Sequence, residues 1–166
     1  MNCRLATVQD AIHIYNIKKD LVANTNFFIT IPPELNSQEE EFLMKRNFDN
    51  GGATFVMEDE KKSIVGFIFL SKGSRQRVSH VVNIGMGVKR ENWSQGIGTI
   101  LLNTGIEWAQ KNSGIKKLAL GVFSNNPRAI KLYEKLGFKV EGVKKDEIKL
   151  NDENLVDDIL MGLKVN

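Results

Sequence analysis

Two stretches of the chain hold residue types whose spacing could do chemistry. The first is Val88-Lys89-Arg90-Glu91-Asn92-Trp93-Ser94-Gln95-Gly96-Ile97-Gly98-Thr99. A strand ends there, a polar loop follows, and two glycines stand where a helix begins. Bare backbone N–H groups can approach a ligand closely, and a helix N-terminus carries about half a positive charge, so a phosphate or diphosphate is the natural guest. The same glycines also suit a tight turn and close helix–sheet contact. No Gly-Lys-Ser/Thr follows, which excludes a Walker loop. The next strand ends in Val122-Phe123-Ser124 without an acidic residue, which argues against a dinucleotide fingerprint.

The second stretch is Asn126-Pro127-Arg128-Ala129-Ile130-Lys131-Leu132-Tyr133-Glu134-Lys135-Leu136-Gly137-Phe138. Asparagine as N-cap and proline at the first helical position open a helix. Tyr133 is its candidate for chemistry, because a phenol ionises near about pH 10 and can give its proton to a departing thiolate. The pattern equally allows a core aromatic on an amphipathic helix.

Together these stretches resemble the signature of the GNAT superfamily of N-acetyltransferases. Trp93, Gly96 and Gly98 occupy the defined slots of its Gln/Arg-x-x-Gly-x-Gly/Ala loop. Asn126, Ala129, Leu132, Tyr133, Gly137 and Phe138 match its Asn-x-x-Ala-x-x-Leu-Tyr-x-x-x-Gly-Phe motif. The loop and the Val156-Asp157-Asp158 tail look like the small bacterial members. The resemblance implies acetyl-CoA as cosubstrate and no metal. Backbone N–H groups of Trp93, Ser94, Gln95, Gly96, Ile97, Gly98 and Thr99 would hold the pyrophosphate. The strand ending at Val88 would splay from the strand starting at Lys117, and pantetheine would lie in the gap, paired with the backbone of Met86 and Val88. An N–H near Val88 would polarise the thioester carbonyl, Asn126 would contact the cosubstrate, and Tyr133 would protonate the leaving thiolate. A primary amine would attack directly within a ternary complex.

Two departures stand out. Trp93 replaces the usual Gln or Arg, and the strand from His80 to Val88 has no carboxylate to serve as base. His80 titrates near neutrality, but at about 3.3 Å per residue it lies more than about 20 Å from Val88. Glu34 sits in an aromatic loop with Phe27 and Phe28, which the resemblance implies would border the acceptor site. It either pairs with a substrate ammonium or is a surface charge. Cys3 has no obvious His-Asp partner, and Lys89 and Arg90 either touch the 3′-phosphate of the cosubstrate or, the better reading, are solvated loop charges.

The elements that must position these residues follow from periodicity. A strand at Cys3–Ala6 precedes a helix capped by Thr7, with Ala11, Ile14, Ile17 and Leu21 on one side. Ser37-Gln38-Glu39-Glu40 reads as a capping box, and Gly51-Gly52 ends that helix. Residues 53–58 alternate as a half-buried strand. Residues 63–71, almost continuously apolar, make a central strand, and residues 80–88 a third. A helix at 96–112, a strand at 117–123, the Asn126 helix and a hairpin around Asn151-Asp152 complete the order. Short loops between the middle strands imply an antiparallel meander, and the strand-helix-strand unit implies a right-handed parallel crossover. The expected fold is therefore α/β (α+β), a GNAT-like mixed and mostly antiparallel sheet of about seven strands with helices on both faces, in one domain over residues 1–166.

Composition sets the outer bounds. The 166 residues are 42% hydrophobic and 26% charged, with a net charge of +3, too small to advertise nucleic acid or an anionic membrane. One cysteine precludes an intrachain disulfide and a paired-cysteine metal site. The N-terminus lacks a signal-peptide core, so a cytoplasmic protein is expected. A non-catalytic acyl-CoA-binding sensor stays open as the alternative to an enzyme. The acceptor amine, small molecule or peptide, is not identified, and a homodimer stays open.

Overall fold

The computed structural model describes residues 1–166, and its elements track the apolar pattern of the chain. Strand β1 (Asn2–Leu5) leads through a 3-10 turn into helix α1 (Ala11–Asn24). The buried residues of α1 are Ala11, Ile14, Ile17 and Leu21, a single helical stripe. Helix α2 (Ser37–Asp49) starts differently from the sequence expectation. Its cap is Asn36, which accepts the Gln38 N–H at 2.9 Å. Ser37 is already inside the first turn, so the Ser37–Glu40 capping box does not form. With the cap supplied one residue earlier, Glu40 turns inward to Lys18 of α1.

Strands β2 (Ala53–Glu58), β3 (Ile64–Lys72) and β4 (Val81–Val88) form the antiparallel meander. Strand β2 is not half-buried: Thr54 and Val56 are as fully buried as Met57. The cause is cover on both faces. Ile14, Ile17, Leu21 and Met44 of α1 and α2 pack with Val56 and Phe67 on one side. On the other, helix α3 (Ile97–Lys111) packs Leu101 and Leu102 with Met57 and Ile68. Gly105 lets α3 lie close, since a Cβ there would sit 3.1 Å from Ile68 Cδ1.

Strand β5 (Lys117–Phe123), helix α4 (Pro127–Lys135) and the hairpin of β6 (Lys139–Asn151) and β7 (Asn154–Lys164) complete a seven-stranded sheet in the order β1-β2-β3-β4-β5-β7-β6. Its one parallel pair is β4–β5, and that pair is short: Val81↔Lys117, Val82↔Leu118 and Asn83↔Ala119. Beyond Asn83, β4 stays with β3 as far as Val88, while β5 stays with β7 as far as Phe123. The two central strands therefore part. No helix is long and apolar enough to cross a membrane.

Candidate functional site

The parting of β4 from β5 leaves specific backbone groups facing a gap. The Lys89 N–H donates to the Val65 carbonyl at 2.9 Å. In an antiparallel pair, residues that exchange bonds with the partner alternate with residues that turn away. The register Phe67↔Gly87 and Phe69↔Gly85 continues from that bond. Gly85 and Gly87 therefore turn their backbone to β3, while Ile84, Met86 and Val88 turn theirs toward β5. Since β5 has left, the groups of Met86 and Val88 meet open space. The Val88 carbonyl is taken by the Trp93 indole, whose Nε1–H donates to it at 2.7 Å. The Val88 N–H remains.

A cleft of about 290 Å³ fills this gap. Met86 and Val88 of β4 and Gly121 and Val122 of β5 form its sides, and Phe27 and Phe28 form part of its wall. At one end lies the loop from Trp93 to Thr99. Ser94 (φ +61°) and Gly96 (φ +81°) are both left-handed. Alternating backbone hands of this kind turn successive N–H groups into one concavity, a fit for anionic oxygen. A serine in this region is strained by about 1 kcal/mol. Gly98 serves packing instead. A Cβ there would stand 3.0 Å from Leu132 Cδ2 and 3.3 Å from Met86 Cε, so its absence lets α3 start against α4 and β4.

Helix α4 supplies the opposite wall. Asn126 caps it, accepting the Ala129 N–H at 3.3 Å, and also lines the cleft. Tyr133 is buried, its ring centroid 5.8 Å from that of Phe138, and it too lines the cleft. Burial alone pushes its phenol up to about 12, so it keeps its proton throughout the ordinary pH range. The Arg128 guanidinium lies 3.5 Å from the centroid of the Trp93 ring and is the only charged group lining the cleft.

A second cavity, of about 450 Å³, adjoins the first at Phe28 and Met86. Glu34, Glu39 and Glu40 line it together with Lys18. Glu40 is buried and holds Lys18 through both oxygens, at 2.8 and 2.9 Å, while the ammonium lies 4.6 Å from the Phe69 ring centroid. Glu34 accepts the Ile31 N–H at 3.0 Å, closing the 3-10 turn of its loop.

Met86, Val88, Trp93, Ser94, Gly96, Gly98, Thr99, Asn126 and Tyr133 thus gather at one cleft. Two loop residues contribute no side chain to it: Gln95 turns back to donate to the Glu91 carbonyl at 3.1 Å, and Ile97 is buried in the core. Glu34 belongs to the adjoining cavity. His80 stands at the far start of β4, its carbonyl accepting the N–H groups of Lys116 and Lys117. Cys3 Sγ accepts from the Thr104 hydroxyl at 3.5 Å, and Arg90 pairs with Asp20 at 3.1 Å. Sequence reasoning misses Arg128, Lys18 and Glu40. A cation in the first turn of a helix opposes the macrodipole, and that is a usable signal for Arg128.

The model of the acetyltransferase (GNAT) family matches residues 21–138. A spermidine N(1)-acetyltransferase of Vibrio cholerae is 26% identical over 140 residues, covering 84% of this chain and 78% of that protein. The L-amino acid N-acetyltransferase AaaT of Escherichia coli is 32% identical over 90 residues, 54% of this chain and 56% of its own. Among solved structures, an acetyltransferase of the GNAT family from Streptococcus pneumoniae superposes with a TM-score of 0.90 at 26% identity, covering 99% of each chain. A phosphinothricin acetyltransferase from Sinorhizobium meliloti, in complex with AcCoA, shares the fold with a TM-score of 0.91 at 20% identity, over 99% of this chain and 88% of its own.

Proposed function

The chain belongs to the acetyltransferase (GNAT) family, and from that premise we propose how its residues carry out acetyl-CoA-dependent N-acetylation of a small amine. The observation that carries the reading is the open gap beyond the Asn83–Ala119 pair, with the Met86 and Val88 backbone turned into it. Acetyl-CoA supplies an activated acyl group on a thioester. The Trp93–Thr99 loop, concave and rich in N–H groups, binds its diphosphate. The Met86 backbone extends the sheet onto its pantetheine amides. The Val88 N–H, its own carbonyl already satisfied by Trp93, donates to the thioester oxygen and stabilises charge that builds there.

Tyr133 acts as the general acid. As the amine forms its bond to the acyl carbon and the carbon–sulfur bond breaks, the phenol protonates the leaving sulfur, and the proton that the nitrogen releases on becoming an amide restores the phenol. Its burial suits it to hold a proton until then. No carboxylate, imidazole or amine lines the cleft, so the acceptor sheds its extra proton before reaching the acyl group. The carboxylates available to take that proton belong to the adjoining cavity.

The acceptor enters through that second cavity. Lys18 is already matched by Glu40, so the unmatched side-chain charge is that of Glu34 and Glu39. A cationic amine, such as a diamine or polyamine, suits this balance better than an amine bearing a carboxylate. The name of the Vibrio relative, a spermidine acetyltransferase, points the same way. Thiol release from acetyl-CoA with a panel of amines tests the reading. Turnover on polyamines and little on zwitterionic amino acids is expected. Turnover on amino acids alone would overturn the acceptor assignment. CoA binding with no turnover on any amine would overturn the enzymatic reading.

A further inference from the structure

We propose that Arg128 is the phosphate-binding cation of the cleft, supplying from α4 the positive charge that the Trp93–Thr99 loop lacks, with Trp93 as the platform that holds it. The inference rests on the assignment of that loop to the diphosphate.

Four observations carry it. The cations that precede the loop are turned elsewhere: Arg90 is paired with Asp20, and Lys89 lines a separate depression with Arg4 and Asp10. Arg128 forms none of the ion pairs of the chain. It occupies the first turn of α4, where the macrodipole disfavours a cation, and partial burial lowers its pKa with no anion to compensate. Each of these disadvantages reverses when an anion is bound beside it. Finally, its position is fixed: the guanidinium lies over Trp93, 3.5 Å from the ring centroid, and Trp93 is itself anchored to Val88 by the 2.7 Å bond. Arg128 shares the cleft wall with Ser94, Gly96 and Asn126. The aromatic at position 93 and the arginine at position 128 thus act as one unit, in which a stacked cation stands in for a charged loop side chain.

The test uses the whole chain, titrated calorimetrically with CoA, with 3′-dephospho-CoA and, at millimolar concentration, with pantetheine. Arg128→Met keeps an unbranched apolar stem and removes the guanidinium and its charge. Its dissociation constants for CoA and 3′-dephospho-CoA should rise together, roughly tenfold to a hundredfold, as loss of a charge-assisted contact predicts. Pantetheine binding should be unchanged. Arg128→Lys should recover only part of the loss, because an ammonium cannot stack or fork in the same way. Unchanged affinity for CoA in both variants overturns the proposal. So does a loss confined to CoA and absent for 3′-dephospho-CoA, which would place the contact on the ribose phosphate. An equal loss for pantetheine would mean a distorted cleft and would also overturn it. Failure of the unsubstituted protein to bind CoA would remove the loop assignment itself, a result separable from all of these.

Discussion

The Trp93 indole N–H donates to the Val88 carbonyl across 2.7 Å, and this bond decides which backbone group of Val88 is left for a ligand. A carbonyl facing the gap beside the N–H would repel the oxygen of a thioester. Trp93 satisfies it and leaves the donor alone. Trp93→Phe keeps a ring beneath Arg128 but removes the donor. The expected result is a fall in kcat of roughly tenfold, since an unsatisfied carbonyl is costly in a closed site, with CoA affinity changed much less. Steady-state kinetics beside calorimetry reads the two separately.

Tyr133→Phe removes the proton and little else. Turnover should fall by roughly a hundredfold, within the usual range for a general acid, and the dissociation constant of CoA should stay within about twofold. Because the phenol is pushed up to about 12, it remains protonated well above neutrality. The kcat profile should therefore show no alkaline loss from this group below about pH 11, and a descending limb near pH 9 that vanishes in Tyr133→Phe would contradict the raised pKa.

The Lys18–Glu40 pair ties α1 to α2 at the edge of the second cavity. Lys18→Met strands a buried carboxylate and should cost about 3 kcal/mol in urea unfolding. Adding Glu40→Leu should return most of that, because replacing a buried pair by apolar groups is far cheaper than breaking it. If the double variant is as unstable as the single, the pair is not an isolated ion pair.

Acid should loosen the β1–α1 corner. Arg4 grips Asp10 through two hydrogen bonds, at 2.8 and 2.9 Å, and Thr7 donates to the same carboxylate. The side-chain bonds from Arg4 hold its pKa down at about 2, below the ordinary 3.8. A depressed folded pKa means that the stabilisation is whole above about pH 4 and fades as pH falls toward 2. Asp10→Asn should be less stable than the unsubstituted protein at pH 7, and the difference should shrink at pH 3. A difference independent of pH would contradict this.

Much of the frame is legible in the chain. The stripe Ala11, Ile14, Ile17, Leu21 marks α1 residue by residue, and Asn126-Pro127 marks the start of α4, because caps and periodicity are local physics. The cleft residues are legible through the two motifs. What is not legible depends on partners distant in sequence. Glu40 reads as part of a cap because Lys18, 22 residues away, cannot be seen from a local pattern. Residues 53–58 read as half-buried because alternation does not reveal that helices cover both faces of the sheet. Nothing in the local pattern around Arg128 announces its stacking on Trp93, which exists only once α4 folds against the loop. The two glycines resolve in different ways: Gly96 supplies a left-handed turn, and Gly98 supplies contact space.

Amide hydrogen exchange, with and without CoA, tests the central claim most directly. The account predicts slowed exchange at the Met86 and Val88 amides and across Ser94 to Thr99, with little change in β1, β2 and the far end of the β6–β7 hairpin. Protection that skips Val88 and the loop, or that falls instead on another face of the sheet, would contradict the assignment of the gap between β4 and β5.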